Sequence, residues 1–438
     1  MTGTLPEQEQ QTRPKDSRTL IEVLCVAVPK VLAGLLQLQM GLLLTRHLGP
    51  ENAGLLFVTA TAVLLADAIL GAAVDLTVLR LSSDPRPGQQ IQSAELQKGA
   101  LVLKVVAVLL VSVALFPFSA SMSSWLFRSP QHGELLLIGA GSLASLLTLR
   151  SVQTHFQVAR RFWLYGAADL LHSAVKWGGA AWLMFLGNAT PSGVLTFYFA
   201  APAITTVIFL GGFGKCLITA RTSWRALKLL MKEMRWYLAS GVVGSTTSRM
   251  DLLLISSSAG PVQAGIFAAA VNLTLPLQLL GQYMGVVFAP RIMPLWRDGR
   301  LKKIYTTFQL ALAGAAVLIA LAMAGVLGWL VPYALGPNFQ RAVPTSLWLL
   351  PSAACALINF PWTISVVLFA RPSIPAVFDL CAIPVLVILY YIAIARDGAV
   401  GAAVVTSAYA IVKTCVFQYL GAKSVAKNTI AATQILSQ

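Results

Sequence analysis

The feature that most constrains this chain is a repeated turn. Gly49-Pro50-Glu51-Asn52-Ala53-Gly54-Leu55 returns 211 residues later as Gly260-Pro261-Val262-Gln263-Ala264-Gly265-Ile266, each copy lying between two long apolar runs. An offset close to half of the 438 residues predicts a duplicated bundle of helical hairpins. A Gly-Pro pair suits such a turn, because proline ends a helical ladder and small residues allow a tight reversal.

Apolar runs fill the rest of the sequence. With 57% hydrophobic and 11% charged residues, the composition is that of an integral membrane protein. The first run, about 21–44, is long enough to cross a hydrocarbon core of ~30 Å, and no small-residue cleavage site follows it, so it reads as a retained anchor. Five further runs, at about 55–78, 100–118, 135–150, 162–187 and 193–217, complete an N-terminal lobe over 20–217. Six more, at about 236–258, 265–289, 305–331, 342–369, 374–394 and 400–420, form a C-terminal lobe over 236–421. The expected fold is all-α and polytopic, with twelve transmembrane helices in two six-helix lobes. A disordered cytoplasmic tail is expected over 1–19 and a second cytoplasmic tail over 422–438. Between the lobes, over 218–235, Trp224, Leu227, Met231 and Met234 recur at helical spacing among Arg225, Lys228, Lys232 and Arg235. This predicts an amphipathic cytoplasmic linker lying on the inner leaflet and held by membrane lipids.

A net charge of +16 in a soluble chain would suggest nucleic acid as partner, but the distribution of charge says otherwise. Of the 32 Lys and Arg residues, 22 fall in loops and tails on the side of both termini. Four, Arg46, Arg128, Arg341 and Arg396, fall on the other side, and six lie within spans. That asymmetry predicts cytoplasmic termini. The five cysteines show no CxxC spacing, which argues against a disulfide scaffold and a metal site. Loops are short and there is no GxxxxGK[ST] motif. An enzyme with an external domain and nucleotide hydrolysis are therefore disfavoured, and no cofactor is expected. A transporter, channel or scaffold remains.

An ionisable group in hydrocarbon costs about 2.5–3.5 kcal/mol even on a lenient scale, so it faces a bundle interior or a wet cavity. Lys30, Gly34, Gln37, Gly41 and Thr45 make one polar face of the first helix, and Asp67, Gly71 and Asp75 follow at steps of four in the second. The fifth helix carries Asp169, His172, Ser173 and Lys176 on one stripe. The seventh carries Arg249 and Asp251, and the eighth Asn272 and Gln282. Lys104, Arg150, Asp379 and Lys413 lie nearer the cytoplasmic ends, where snorkelling explains them. The structural alternative to a transport role is pairing, Asp169 with Lys176 and Asp251 with Arg249 or Lys30.

The stretch Leu42-Leu43-Leu44-Thr45-Arg46-His47-Leu48-Gly49-Pro50-Glu51-Asn52-Ala53-Gly54, with Asp75-Leu76 and Arg80 beyond it, resembles the polysaccharide transporter branch of the MOP exporter superfamily. Asp251-Leu252-Leu253-Leu254, Ala264-Gly265-Ile266-Phe267-Ala268-Ala269-Ala270, Pro290, Pro294 and Lys303 extend the resemblance, which includes the Wzx-type oligosaccharide flippases. The resemblance implies a MATE-like fold whose lobes rock around a central cavity. It implies a substrate too: a polyprenyl-diphosphate-linked oligosaccharide, the precursor of a surface polysaccharide such as O-antigen. The move would run from inner to outer leaflet of the bacterial inner membrane, beside a polysaccharide polymerase and other synthesis proteins. By resemblance, Lys30, Gln37, Arg249, Asn272 and Gln282 line the cavity. Asp67, Asp251, Asp169, His172 and Lys176 are candidates for ion coupling or a charge network, with a proton, sodium ion or membrane potential as drive. Two alternatives stay open: a cation-coupled multidrug or organic-cation antiporter of the same superfamily, and a non-transporting scaffold of an envelope-polymer synthesis complex.

Overall fold

The computed structural model describes residues 16–83, 92–213, 219–297, 301–369 and 373–436. Side chains are described in these ranges except at 16–24, 213, 236, 282–306, 360–373 and 424–436. The tail expected over 1–15 lies outside the described residues, and every regular element among them is helical.

Asp16–Asp67 bends at Gly49 (φ 72°, ψ 173°) into α1, residues 16–48, and a second arm. That arm continues through a π turn, Ala68–Ala72, and the helix Ala73–Ser83, and together they make α2. The next helices are α3 (Ser93–Phe127), α4 (Gly133–Val158), α5 (Phe162–Phe185) and α6 (Pro191–Phe213). The second lobe contributes α7 (Trp224–Ala259), α8 (Pro261–Arg297), α9 (Leu301–Leu335) and α10 (Ala342–Phe369). Ser373–Leu436 breaks at Gly398 (φ 56°, ψ −127°) into α11 and α12. Among the described residues, eight stretches are long and apolar enough to cross a membrane, and two of these, 25–83 and 374–423, each contain a hairpin. The long helices outside the eight are α5 and α7, whose central charges interrupt their apolar runs. The chain is a multi-pass membrane protein.

Three Gly-Pro pairs turn the chain in the same way. Gly49, Gly260 and Gly336 have φ of 72°, 88° and 91° with extended ψ, and a proline opens the helical turn after each. The left-handed φ favours glycine, and the fixed φ of proline suits the first helical position.

The two copies of the repeat meet face to face. A Cβ added to Gly54 would run into the Pro261 carbonyl, and one added to Gly265 would run into that of Pro50. The contact is reciprocal, so each hairpin rests its glycine on the first helical turn of the other. Lipid offers no hydrophobic gain for helix association, and close backbone approach through small residues is what remains.

Around this contact one apolar core runs through both lobes, with Leu44, Ala53, Leu56 and Leu126 from the first and Ile255, Phe267, Ala270 and Val331 from the second. At the opposite end, which carries the chain termini, the core breaks into smaller ones. Phe156, Leu164 and Phe209 form one, and Leu277, Ala316 and Leu357 form another. The lobes thus share one continuous core at the turn end, and at the terminus end they meet through a smaller one, where the opening turns of α7 pack on α2 and α3.

Residues 224–235 do not form a detached surface helix. They are the opening turns of α7, capped by Ser223 Oγ, which accepts from the Ala226 amide at 3.2 Å. Ala226 and Leu230 pack on Val74, Val78, Leu81, Leu96 and Ala100 of α2 and α3, while Trp224 and Met231 stay exposed. The reason is local: Ala226 and Leu230 make a second apolar edge at i and i+4, and no glycine or proline interrupts the helix before Gly241. The last helix likewise passes residue 421 and ends at Leu436.

Wedging the repeated turns apart should open the turn end. In protein carrying Ala53→Cys, a position fully buried between the hairpins, adding Gly265→Leu should raise labelling by a hydrophilic maleimide several-fold. Unchanged labelling would mean that another contact seals this end.

Candidate functional site

At 1.5 Å per residue, Lys30, Asp67, Arg150 and Asp169 each lie ~24–27 Å along their helices from the turn end, and Gln37, Arg249 and Asn272 lie ~15–17 Å from it. The intramembrane polar groups therefore fall into two layers.

In the deeper layer, one chain of contacts joins α2, α4 and α5. Asp67 Oδ2 stands 3.8 Å from Arg150 Nε; Arg150 Nη1 donates to Gln153 Oε1 at 3.5 Å, and Gln153 Nε2 donates to Asp169 Oδ1 at 3.4 Å. Asp67 is buried, whereas the Arg150 side chain is 41% exposed. Lys104, Asp75 and Arg249 of the other lobe also act electrostatically on Asp67. Lys30 Nζ lies over the Tyr165 ring at 5.1 Å, and nearer the turn end of α5 the buried Lys176 lies over Tyr198 at 4.4 Å. Such contacts hold an ammonium where hydrocarbon surrounds it. His172, one turn from Lys176, has a buried Nδ1 with no hydrogen-bond partner among the described residues.

The layer nearer the turns lies at the seam between lobes. Gln37 is exposed on α1, and Asn272 of α8 reaches across to α1, where a Cβ on Gly41 would meet its Nδ2 at 3.2 Å. That Nδ2 is buried with no hydrogen-bond partner among the described residues. Asp251 Oδ1 accepts from the Leu252 amide at 2.7 Å and has Arg249 as its electrostatic neighbour. The Gln282 side chain lies outside the described residues.

The structure sorts the remaining expectations. Asp169 takes its hydrogen bond from Gln153, and Lys176, which feels Asp169 electrostatically, turns to Tyr198. Lys104 does not snorkel: it is 1% exposed and bonds Asp75 at 2.6 Å and Ser151 at 3.1 Å. Lys413 bonds Asp379 at 2.8 Å, with the Tyr409 hydroxyl donating to the same carboxylate. These two pairs clamp neighbouring helices within a lobe.

Arg150 is the functional candidate that sequence reasoning passed over. The apolar run stops at that residue, but α4 continues to Val158, which places Arg150 at the level of Asp67. The available signal was Gln153, three residues on and on the same face. Two arginines from the arginine-poor side also gain a role. Arg46 Nη1 donates to the Tyr333 carbonyl at 3.3 Å, and Arg128 donates from Nε to the Ser257 carbonyl at 3.1 Å and from Nη2 to that of Ser258. Ser256 Oγ adds a bond to the Leu126 carbonyl at 2.7 Å, so the turn end is stitched across the lobes as well as packed.

The buried Asp75–Lys104 pair should behave as structure. Lys104→Met alone should destabilise the protein by about 3–5 kcal/mol, because it leaves a buried carboxylate unpaired, while Asp75→Leu with Lys104→Met should recover most of the loss. Thermal unfolding in detergent checks this; equal losses in the single and double variants would contradict it.

A family model described as "Polysaccharide biosynthesis protein" matches residues 43–344. Lipid II flippase MurJ in an inward closed conformation superposes with a TM-score of 0.71 at 11% identity, over 92% of this chain and 90% of that one. A multidrug resistance MATE family transporter of the MOP superfamily, in an inward-facing conformation, gives 0.64 at 15% identity over 92% and 99%. A MOP superfamily transporter from Pyrococcus furiosus, described as having a binding pocket of reversed polarity, gives 0.59 at 14% identity over 92% and 95%. At these identities the likeness is one of fold. No curated protein sequence matches the chain.

Proposed function

The chain belongs to the polysaccharide biosynthesis protein family and has the fold of the MOP exporter superfamily, and from that premise we propose that it is a flippase for a polyprenyl-diphosphate-linked oligosaccharide. The observation that carries this reading is the uneven packing of the lobes: they share one continuous core at the turn end, meet at the terminus end through the smaller contact of α7 on α2 and α3, and carry cationic and amide groups between the two. Two lobes sealed firmly at one end and joined by a smaller contact at the other suit a cycle of alternating access.

The charge asymmetry, 22 Lys and Arg against four, supports a cytoplasmic terminus end in the bacterial inner membrane. The terminus end would then face the leaflet where lipid-linked precursors are made. A diphosphate must shed water to cross, and Lys30 and Arg249 would replace that water with charge-assisted donors, Arg249 as a bidentate clamp and Lys30 as a point charge. Gln37, Asn272 and Gln282 offer amides to sugar hydroxyls. The prenyl tail stays in lipid, and polymerase and other synthesis proteins would take up the exported product. Moving two negative charges outward is favoured by about 4.6 kcal/mol per 100 mV of inside-negative potential, enough to bias the cycle without a nucleotide. A second reading, the cation-coupled antiporter, draws on the intramembrane carboxylates Asp67 and Asp251 and requires proton- or sodium-dependent efflux of cationic dyes.

Replacing Lys30 and Arg249 together with Gln should lower surface-polysaccharide export about tenfold or more in cells that depend on this protein, at unchanged membrane abundance. Arg249→Lys should retain part of the activity, since it keeps charge and loses the bidentate geometry. Normal export by the double variant would remove both residues from the mechanism.

A further inference from the structure

The opening turns of α7 meet the first lobe with one side and carry four cations on the other. At ~100° per residue, Ala226, Leu230, Glu233 and Tyr237 share one side of the helix. Ala226 and Leu230 pack on α2 and α3. Arg80 of α2 donates from Nη1 to the Tyr237 hydroxyl at 3.5 Å and stands 3.8 Å from Glu233 Oε2. Gly99 of α3 brings the helices together, since a Cβ there would meet Thr222 Oγ1 at 3.0 Å and Leu230 Cδ1 at 3.1 Å. These contacts fix the rotation of α7 about its axis, and with it the side that turns away from the protein.

That outward side holds Arg225, Lys228, Lys232 and Arg235, all exposed. Beside them Trp224 and Met231, also exposed, make an apolar edge. Glu233, the one acid of residues 224–235, pairs with Arg80 on the inward side. Loop cations that only orient a membrane protein can lie anywhere in their loop. Here they keep to one side of a helix, at steps of three, four and three. Arg225 stands in the first turn, which holds no acid, and Lys228 follows just beyond; the helix dipole disfavours positive charge there. A cationic face that its own helix opposes is complemented by an anion from outside. Arg235 directly precedes the apolar run that begins at about residue 236, which sets this face at the membrane surface. Cations with an adjoining tryptophan are the composition of an interfacial helix side.

We propose that the outward side of the opening turns of α7 is a docking surface for anionic phospholipid headgroups. Its Lys and Arg meet the lipid phosphates with charge-assisted donors, while Trp224 and Met231 rest at the boundary between headgroups and acyl chains. The surface faces away from α2 and α3 and does not depend on what the protein transports.

The test uses full-length protein reconstituted with equal parts of phosphatidylglycerol and phosphatidylcholine, with the lipids retained after brief detergent extraction counted by native mass spectrometry. The wild type should retain phosphatidylglycerol about tenfold or more over phosphatidylcholine. Replacing Arg225, Lys228, Lys232 and Arg235 together with Gln should cut that preference about fivefold or more. Lys228→Gln with Lys232→Gln should fall between, and Lys228→Arg with Lys232→Arg should match the wild type, a graded pattern that misfolding does not produce. Arg160→Gln with Arg161→Gln, exposed cations of the turn between α4 and α5, should leave the preference nearly unchanged. No preference in the wild type, or a fourfold Gln variant that keeps it, would overturn the proposal. So would an equal loss in the variant at Arg160 and Arg161, which would make the preference one of net charge.

Discussion

Two backbones touch at the turn end, Gly54 against the carbonyl of Pro261 and Gly265 against that of Pro50, and the rest of the architecture depends on that contact. Helices in lipid gain little from burying apolar surface against one another, so the seam must be made by shape and by directed bonds. Glycine supplies the shape. The directed bonds come from Arg46 and Arg128, whose guanidinium groups reach carbonyls of the opposite lobe. The Arg128 acceptors lie at the C-terminal end of α7, where a cation also complements the helix dipole. At the other end the lobes meet through a smaller contact, the opening turns of α7 on α2 and α3.

The charges inside the membrane divide by the same logic. Asp75–Lys104 and Asp379–Lys413 sit at hydrogen-bond distance with further polar partners, and both close contacts within a lobe. Asp67 and Arg150 are arranged otherwise, with a long ion pair and a buried carboxylate oxygen that has no hydrogen-bond partner among the described residues. A pair that only glued helices would have closed to bonding distance, since unmet donors are costly where water is excluded.

Much of this was legible in the sequence, because repeats and hydrophobic periodicity are local signals. The Gly-Pro-x-x-Ala-Gly duplication marked both hairpins, and the apolar runs marked the helices. Contacts between helices were not legible. Arg150 lay at the edge of its apolar run, and only the continuation of α4 to Val158 set it level with Asp67. Residues 224–235 read as a free amphipathic helix because Trp224 and Met231 dominate the pattern, whereas the packing is made by Ala226 and Leu230. Lys104 looked like a residue able to reach water, and the carboxylate that holds it sits on another helix, 29 positions away.

The most direct test of the transport account is mass spectrometry of polyprenyl-diphosphate-linked oligosaccharides in cells lacking this protein, compared with cells carrying it. The account predicts accumulation of one undelivered glycolipid whose mass identifies the sugar and whose level returns to normal on complementation. An unchanged lipid pool in the deleted strain would contradict it.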